Sequence, residues 1–295
     1  MTDEVKQRLE AWRSKVEAAL VAALEPVGES EPTLLRAMQH AVQAGGKRLR
    51  PLLVLATCEA AGGGVDDALP AAVAVELLHS YSLVHDDLPA MDDAQLRRGQ
   101  PCTHVLFGEA IGILAGDALQ TRAFELLTES HLPSDRVVRQ VAVLARAAGV
   151  AGMAGGQVLD LAAEGRDQLR EEEVLRIHRL KTGALLAGSL QLGALAAGAS
   201  HDALERFINA GNALGLAFQI QDDVLDATSS DAVLGKTAGQ DAVRGKATWP
   251  AVVGLEESRR RVTKLTQECL RHLEPLGERC EPLRELARRA AHRVS

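Results

Sequence analysis

Apolar residues recur along nearly the whole chain at the spacing of amphipathic helices. The first such segment, residues 5–24, alternates apolar and charged positions and ends before Pro26 and Gly28. No stretch shows the strand-turn-strand alternation of a β-sheet, and no low-complexity tract or linker divides the chain. The pattern predicts one all-α domain over residues 1–295, built as a large helical bundle. The other predicted helices cover residues 33–44, 51–61, 68–87, 103–129, 134–161, 170–197, 202–226, 247–273 and 282–293.

Composition agrees with helices and narrows the possible partners. The chain is 46% hydrophobic and 25% charged but only 2% aromatic, and alanine and leucine dominate its apolar residues. These residues favour helices, whereas strands favour β-branched and aromatic residues. The net charge of −7 provides no excess cationic field, which argues against nucleic acid or an anionic membrane as a partner. Basic residues must therefore act locally.

The cysteines and apolar runs bear on the cellular setting. Cys58, Cys102, Cys269 and Cys280 form no CxxC pair and no His/Cys ligand pattern. No charged and apolar leader opens the chain. We expect every apolar run to stay short of the roughly 20 residues that a membrane-spanning helix needs. The sequence therefore predicts a cytoplasmic protein without stable membrane insertion, which would meet a greasy substrate inside its fold.

The first of two acidic clusters spans residues 86–93 and contains four aspartates. Pro89 should stop the helix that leads into it, so that the chain turns and Asp92 returns towards Asp86. Acidic runs are commonly solvated helix ends. The apolar residues just before this cluster, at 81–84, favour a buried face instead.

The second cluster contains Asp222, Asp223 and Asp226. A continuous helix places Asp222 and Asp226 on one face, which Gln219 shares one turn earlier. Gathered carboxylates repel one another, and cations or protons relieve the repulsion. Oxygen ligands without a Cys/His set favour magnesium over zinc. The two clusters thus predict hard cations gathered around a polyanion such as a diphosphate.

Basic residues form separate packets, several of them beside glycines whose backbone amides can also approach phosphate oxygens. One packet alone is usually a solvent-exposed charge, but forked arginines and point-charge lysines together could hold two phosphate-bearing groups. Neither a P-loop nor a GxGxxG motif is present, which argues against nucleotide binding. The packets are Lys47, Arg48 and Arg50; Arg97 and Arg98; Arg179 and Lys181; Lys236; and Arg244 and Lys246.

Four motifs occur in the order Gly45-Gly46-Lys47-Arg48-Leu49-Arg50-Pro51, the Asp86 cluster with Arg97-Arg98-Gly99, Lys181-Thr182-Gly183, and Phe218-Gln219-Ile220-Gln221-Asp222-Asp223-Val224-Leu225-Asp226. Together they resemble the motif series of the trans-isoprenyl diphosphate synthases, the bacterial farnesyl diphosphate synthases most of all. The resemblance implies an all-α bundle around a deep cavity, Mg²⁺ as cofactor and a homodimer. It also implies that isopentenyl diphosphate is joined head-to-tail to dimethylallyl or geranyl diphosphate, giving farnesyl diphosphate and diphosphate.

The resemblance assigns roles position by position. Magnesium ligands would be Asp86 and Asp92, with Asp87 in support, on one wall, and Asp222 and Asp226 on the other. Isopentenyl diphosphate would be held by Lys47, Arg50, His79 and Arg98. The allylic partner would be held by Arg97, Lys181, Thr182, Gln219, Lys236 and Lys246. Catalysis would fall to Asp86, Asp92, Lys181, Thr182, Gln219 and Asp222, with no protein nucleophile.

Product length in this family depends on where a bulky side chain blocks the cavity. Tyr81, the only tyrosine, lies five positions before Asp86 on the helix that leads into the first cluster. Its ring, with Ser82 beside it, could form a floor that stops growth near fifteen carbons, although a tyrosine simply packed in the core would look the same in sequence. Geranyl and geranylgeranyl diphosphate synthases therefore stay alternatives.

Two alternative functions are a terpene cyclase and a non-catalytic partner subunit. A terpene cyclase shares the bundle but ordinarily carries an Asn/Ser/Glu motif in place of Asp222, Asp223 and Asp226, which argues against cyclisation. A non-catalytic partner subunit of a heteromeric prenyl synthase should have damaged acidic clusters, whereas both are intact here. The C-terminal residues 288–295 lack the ending usual in close relatives, so closure of the site by this tail is left open.

Overall fold

The computed structural model describes residues 2–166, 169–228 and 248–291. Their fold is all-α, as predicted, apart from one short hairpin. The helices are α1 (Asp3–Ala23), α2 (Pro32–Gln43), α3 (Leu49–Ala60), α4 (Val65–Asp86), α5 (Thr103–Phe107), α6 (Glu109–Thr128), α7 (Ser134–Ala148), α8 (Met153–Ala163), α9 (Glu171–His178), α10 (Ala184–Ala197), α11 (His201–Thr228), α12 (Trp249–Val253), α13 (Leu255–Leu273) and α14 (Glu281–Ala291). A π-helical turn (Arg179–Gly183) joins α9 to α10, and the 3₁₀ turns Glu274–Leu276 and Glu278–Cys280 precede α14.

Helices α3, α4 and α10 form the centre of the bundle. Most residues of α3 and α10 are buried, which is expected of helices that are apolar on every side. Helix α10 packs against α3, α4, α7 and α11, while α4 also packs against α6 and α11 against α13. The two helices that end in or contain the acidic clusters, α4 and α11, are therefore held by the core.

Glycines interrupt three helices that the sequence predicts as continuous. Gly108 and Gly254 have φ angles of +87° and +83°, which divide the predicted helices 103–129 and 247–273 into shorter ones. The predicted helix 134–161 is broken between α7 and α8 by residues 149–152. Apolar periodicity continues across each break, so periodicity alone could not reveal it.

The hairpin is an exception to the predicted absence of strands. Strands β1 (Leu96–Arg97) and β2 (Gln100–Pro101) pair antiparallel. Arg98 and Gly99 form the connection, and both have positive φ angles, 53° and 77°, as two-residue hairpin turns often require. Strands of two residues are too short to show alternation in sequence.

Two helical stretches, Ser134–Ala163 and Glu171–Ala197, are long and apolar enough to cross a membrane by length and composition, so the expectation that no such run exists was wrong. In their most apolar windows, 33% and 67% of residues are buried inside the protein. A buried core helix passes the same test, and the second stretch contains the core helix α10. The first is broken between α7 and α8.

Candidate active site

The first acidic cluster lies in a tight turn at the end of α4. The helix ends at Asp86, and the Asp92 N–H then donates a hydrogen bond to the Asp86 carbonyl at 2.8 Å. Asp93 takes a φ of 47°, in the left-handed region. The chain thus reverses around Pro89 and returns Asp92 to Asp86, as the sequence predicted.

The Asp86 carboxyl lies in a crowded setting. Burial raises its pKa to about 6, and repulsion from Asp92 and Asp87 adds to this. Lys181 and Arg97 act in the opposite direction. A carboxyl in this position is partly protonated near neutral pH, and an added cation would favour its charged form.

Asp87, which is buried, and Arg97, which is partly exposed, form an ion pair beside this turn. Arg97 Nε lies 2.8 Å from both Asp87 carboxylate oxygens, and Arg97 Nη2 lies 2.5 Å from Oδ1. The Asp87 side chain is only 5% exposed. The pair ties the β1–β2 hairpin to the end of α4. The metal-supporting role of Asp87 and the substrate-binding role of Arg97 stay predictions.

The second cluster lies on the last turns of α11, and its three carboxylates differ. Asp223 is buried and accepts hydrogen bonds from the Trp249 backbone N–H at 2.8 Å and from Gln219 Nε2 at 3.0 Å. His178 Nε2 lies 3.2 Å from Asp223 Oδ2, the oxygen that also accepts from Trp249. Asp222, on the same helix, is partly exposed, whereas Asp226 is buried.

The π-helical turn carries Lys181 and Thr182. Lys181 Nζ lies 2.5 Å from Asp160 Oδ2 on α8. Thr182 Oγ1 donates to Gln219 Oε1 on α11 at 2.6 Å. A π-helical turn widens a helix locally and is frequently found at functional sites. Here it presents two successive side chains to two different helices.

The four residues predicted to bind isopentenyl diphosphate line a single cavity of about 930 Å³. Burial lowers the pKa of His79 well below its usual value, and the nearby cations Arg50 and Arg98 lower it further. His79 is therefore a neutral imidazole among cations, able to donate a hydrogen bond without adding charge. The four residues are Lys47, Arg50, His79 and Arg98.

Arg48 lies between Lys47, on the glycine loop, and Arg50, in the first turn of α3, and it holds this junction in place. Its guanidinium donates to Glu76 on α4 at 2.8 Å and to Glu17 on α1 at 2.9 Å, and Arg48 itself is 3% exposed. Its φ of 49° makes a left-handed start to α3. The clamp joins two helices through one side chain, so it fixes the cavity wall where the loop enters α3.

Gly46 is favoured at this loop by its φ of +143°, and the Arg98 guanidinium lies directly on it. A Cβ at Gly46 would come within 2.6 Å of Arg98 Nη1, and the same group donates to the Gly45 carbonyl. Arg98 is therefore shared between the hairpin tip and the glycine loop. Because Arg97 next to it contacts Asp87, the hairpin connects the cavity to the acidic turn.

The donor set fits magnesium, although the described carboxylates are not gathered into one metal cage. Among residues 2–166, 169–228 and 248–291, no group of three or more His, Cys, Asp or Glu side chains is close enough to hold a metal ion. Asp86 and Asp92 nevertheless share a turn, and the raised pKa of Asp86 shows a cost that a cation would relieve. Oxygen-only donors of this kind suit a hard cation.

Tyr81 and Ser82 lie one turn before Asp86 on α4. The Tyr81 ring is partly buried against the core and meets the His85 ring edge-on, with centroids 5.6 Å apart. His85 Nε2 lies 3.0 Å from the Ile113 carbonyl on α6. The Ser82 hydroxyl donates to the His79 carbonyl at 2.8 Å. The Tyr81 ring therefore packs on His85, which reaches α6, while Ser82 is bonded to its own helix.

Lys236 and Lys246, predicted to hold the allylic partner, lie outside the described residues, as do Arg244 and the last four residues of the tail. The four cysteines are free and buried, with no disulfide among the described residues.

The sequence matches the model of the polyprenyl synthetase family over residues 31–281. The chain belongs to the polyprenyl synthetase family. It is 46% identical over 276 residues to the farnesyl diphosphate synthase of Escherichia coli, covering 92% of each chain. It is 44% identical over 286 residues to geranylgeranyl pyrophosphate synthase 4 of Arabidopsis thaliana, covering 95% of this chain and 76% of that one. The crystal structure of an FPP/GFPP synthase from Zymomonas mobilis superimposes with a TM-score of 0.88 at 37% identity, over 99% of this chain and 100% of that one.

Several residues at the site of this polyprenyl synthetase were not predicted from the sequence. Asp160, Glu76 and Glu17 are acidic residues in ordinary helical stretches, and each pairs with a cation remote in sequence. His178 likewise meets its partner Asp223 only through the fold. The one usable signal is a single acidic residue in an apolar run, such as Asp160 between leucines.

Proposed function

We propose that this chain is a farnesyl diphosphate synthase, a prenyltransferase that condenses isopentenyl diphosphate with dimethylallyl or geranyl diphosphate. The observation that carries the proposal is the separation of charges. Lys47, Arg50, His79 and Arg98 line one cavity, and the acidic turn of Asp86 adjoins it through the Arg97–Arg98 hairpin. A basic cavity suits one diphosphate, and an acidic wall suits a second diphosphate with its metal ions.

The basic cavity would hold isopentenyl diphosphate. Arg50 and Arg98 supply forked donors and Lys47 a point charge, while His79 adds a neutral donor. Arg48 keeps the loop in place from behind. These contacts would leave the alkene of the substrate directed away from the cations, towards the allylic partner.

The second substrate would lie along the acidic wall. Asp86, Asp92, Asp222 and Asp226 would hold Mg²⁺, which when bound neutralises the leaving diphosphate and draws off its charge. Lys181 adds a cation held by Asp160, and the hydrogen-bonded oxygens of Thr182 and Gln219 would lie beside the carbon on which positive charge develops. The alkene of isopentenyl diphosphate attacks that carbon and the adduct loses a proton, which the released diphosphate takes.

The proposal also covers the cellular location of the protein, its domain organisation and its oligomeric state. Four free, buried cysteines agree with a reduced cytoplasm. We propose a single domain spanning residues 1–295 and a homodimer of such chains. Nucleic acid is not a partner in this proposal, because the net charge is −7.

Incubation of the purified chain with Mg²⁺, isopentenyl diphosphate and geranyl diphosphate tests the function. We expect farnesol after phosphatase treatment, identified by mass, and no product once EDTA removes the metal. Asp86→Asn should reduce the rate by at least about 100-fold, because the metal loses one negatively charged carboxylate ligand. As a control, Asp66→Asn changes an exposed carboxylate that pairs with Lys15 on α1 and should retain full activity.

A folded wild-type chain that yields no condensation product would overturn the proposal and favour the partner-subunit reading. Products of twenty carbons would instead favour a geranylgeranyl diphosphate synthase, a reading supported by the resemblance to the Arabidopsis thaliana enzyme.

A further inference from the structure

Two glycines clamp the π-helical turn between α8 and α11. A Cβ at Gly156 on α8 would lie 2.1 Å from the Lys181 backbone N, and a Cβ at Gly215 on α11 would lie 2.6 Å from the Gly183 Cα. Neither distance is possible for a real side chain. The turn is therefore in backbone contact with a helix on each side, which fixes its position closely.

Each clamping helix places a polar side chain one turn beyond its glycine. On α11, Gln219 follows Gly215 by four residues and receives the Thr182 hydroxyl. On α8, Asp160 follows Gly156 by four residues and receives Lys181 Nζ. The two arrangements are equivalent, since residues four apart lie on one helix face. Gln219 already has a proposed role, and Asp160 has none.

The surroundings of Asp160 show what it does to the lysine. Asp160 is 8% exposed, and among the described residues its side chain is hydrogen-bonded to Lys181 alone. Burial alone would lower the pKa of Lys181, yet that pKa is raised, because Asp160 and then Asp86 and Asp92 stabilise the ammonium. Lys181 therefore stays charged and lies between one buried carboxylate and the acidic turn.

We propose that Asp160 is a positioning residue that holds the Lys181 ammonium in place for the leaving diphosphate of the allylic substrate. The inference rests on the proposed function. Without Asp160, the attraction of Asp86 and Asp92 would draw Lys181 onto the acidic turn, where it would compete with the metal. With Asp160, the ammonium has a fixed partner behind it and keeps its remaining donors for phosphate oxygens.

Asp160→Asn and Asp160→Ala test this through the split between the two substrates. We expect kcat/KM for geranyl diphosphate to fall about 10- to 100-fold, the range set by one hydrogen bond to a charged group. The KM for isopentenyl diphosphate should stay unchanged, because the basic cavity does not include Asp160. The melting temperature should fall in both variants, because each removes the buried carboxylate that pairs with the Lys181 ammonium. Asp160→Glu, which keeps the charge, should recover part of the loss. Glu59→Gln is the control, since it breaks a comparable pair with Arg8 between α1 and α3.

A double-mutant cycle separates positioning from a merely structural role. In the Lys181→Ala background, Asp160→Ala should have little further effect on the rate, because the residue it positions is already gone. Equal losses with and without Lys181, or equal losses for both substrates, would overturn the proposal. A third outcome would also overturn the proposal. If Asp160→Asn needed a different magnesium concentration for half-maximal activity, and its effect were the same with and without Lys181, Asp160 would be a metal ligand instead.

Calorimetry with an unreactive thiolo analogue of geranyl diphosphate distinguishes two outcomes: that Asp160 does not position Lys181, and that the proposed function itself is wrong. Wild-type chain that binds the analogue more tightly than Asp160→Asn supports the positioning role whatever product is formed. Equal binding by the two, alongside farnesyl diphosphate formation by the wild type, would reject the role of Asp160 and leave the proposed function intact.

Discussion

At the scale of single residues, the two Asp-Asp pairs show a common division of labour. The second aspartate of each pair, Asp87 and Asp223, has a side chain only 5% exposed and is bound by protein donors. The first of each, Asp86 and Asp222, is more exposed. A buried carboxylate with several donors is anchored in its place. The second aspartates thus hold the turn and the helix face on which the first aspartates are presented.

Residue types at the site could be predicted from the chain, but their pairings could not. Acidic clusters and glycine-flanked cations are local patterns, so Asp86, Lys47 and Lys181 stand out in sequence. Asp160 does not, because its importance comes from Lys181, which reaches it only through the packing of α8 against the π-helical turn. The same holds for Glu76, whose partner Arg48 is 28 residues away.

Tyr81→Ala should lengthen the product, and this prediction belongs to one side chain. The ring is partly buried against the core and packs edge-on against His85, one turn before the acidic turn, so removing it would open space there. We expect the twenty-carbon product to become a major species in the mass spectrum of released alcohols. Ser82→Ala, at the other residue predicted to form the floor, should change the product distribution less, because that hydroxyl is bonded within its own helix and its loss opens little space. An unchanged product distribution for Tyr81→Ala would assign the tyrosine to ordinary core packing.

At the scale of elements, helix extents were largely predictable, whereas helix junctions were not. The predicted helix 202–226 and the observed α11 (His201–Thr228) nearly coincide, because one apolar face runs through the segment. The π-helical turn inside the predicted helix 170–197 has no periodicity signal, since it adds a single residue to one turn. Its cause is tertiary: two helices approach it through glycines, and their backbones determine its shape.

Gly215→Ala should therefore disturb the π-helical turn more than an ordinary helix substitution would. The added methyl would meet the Gly183 backbone at 2.6 Å, which side-chain motion cannot relieve. We expect a loss of about 1–3 kcal/mol in the free energy of unfolding, the usual cost of overpacking, measured by urea denaturation. Condensation should slow as well, because Thr182 and Gln219 would separate.

Gly188→Ala on α10 provides the control for this substitution. Its nearest neighbour would be the Ala147 Cβ at 3.2 Å, a milder contact than the 2.6 Å approach to backbone at Gly215. That variant should lose less stability and keep its activity. If Gly215→Ala proved as stable and as active as the control, backbone contact at α11 would not be what shapes the turn.

At the scale of the whole molecule, the Arg48 clamp and an exposed apolar surface involve different helices. Arg48 joins α1, α4 and the glycine loop on the side of the basic cavity. On α5 and α6, by contrast, four large apolar side chains are exposed to solvent by 45% to 52%. Contiguous apolar surface on adjacent helices commonly marks an interface. These residues, the α5–α6 face, are Val105, Leu106, Ile113 and Leu114.

We predict that the α5–α6 face forms the two-fold interface of a homodimer. The same patch on both subunits would pair with itself, as two-fold symmetry requires. Light scattering after size exclusion should give twice the chain mass of 31.4 kDa for the wild type and the single mass for Leu114→Glu. Val150→Glu is the control, because Val150 is 90% exposed beyond the end of α7 and apart from this face. A monomeric wild type, or a Leu114→Glu variant that stays dimeric, would contradict the assignment.

Loss of the dimer should also alter product length, because the Ile113 carbonyl on this face contacts His85 beside Tyr81. The products of Leu114→Glu should therefore be measured together with the mass of the variant.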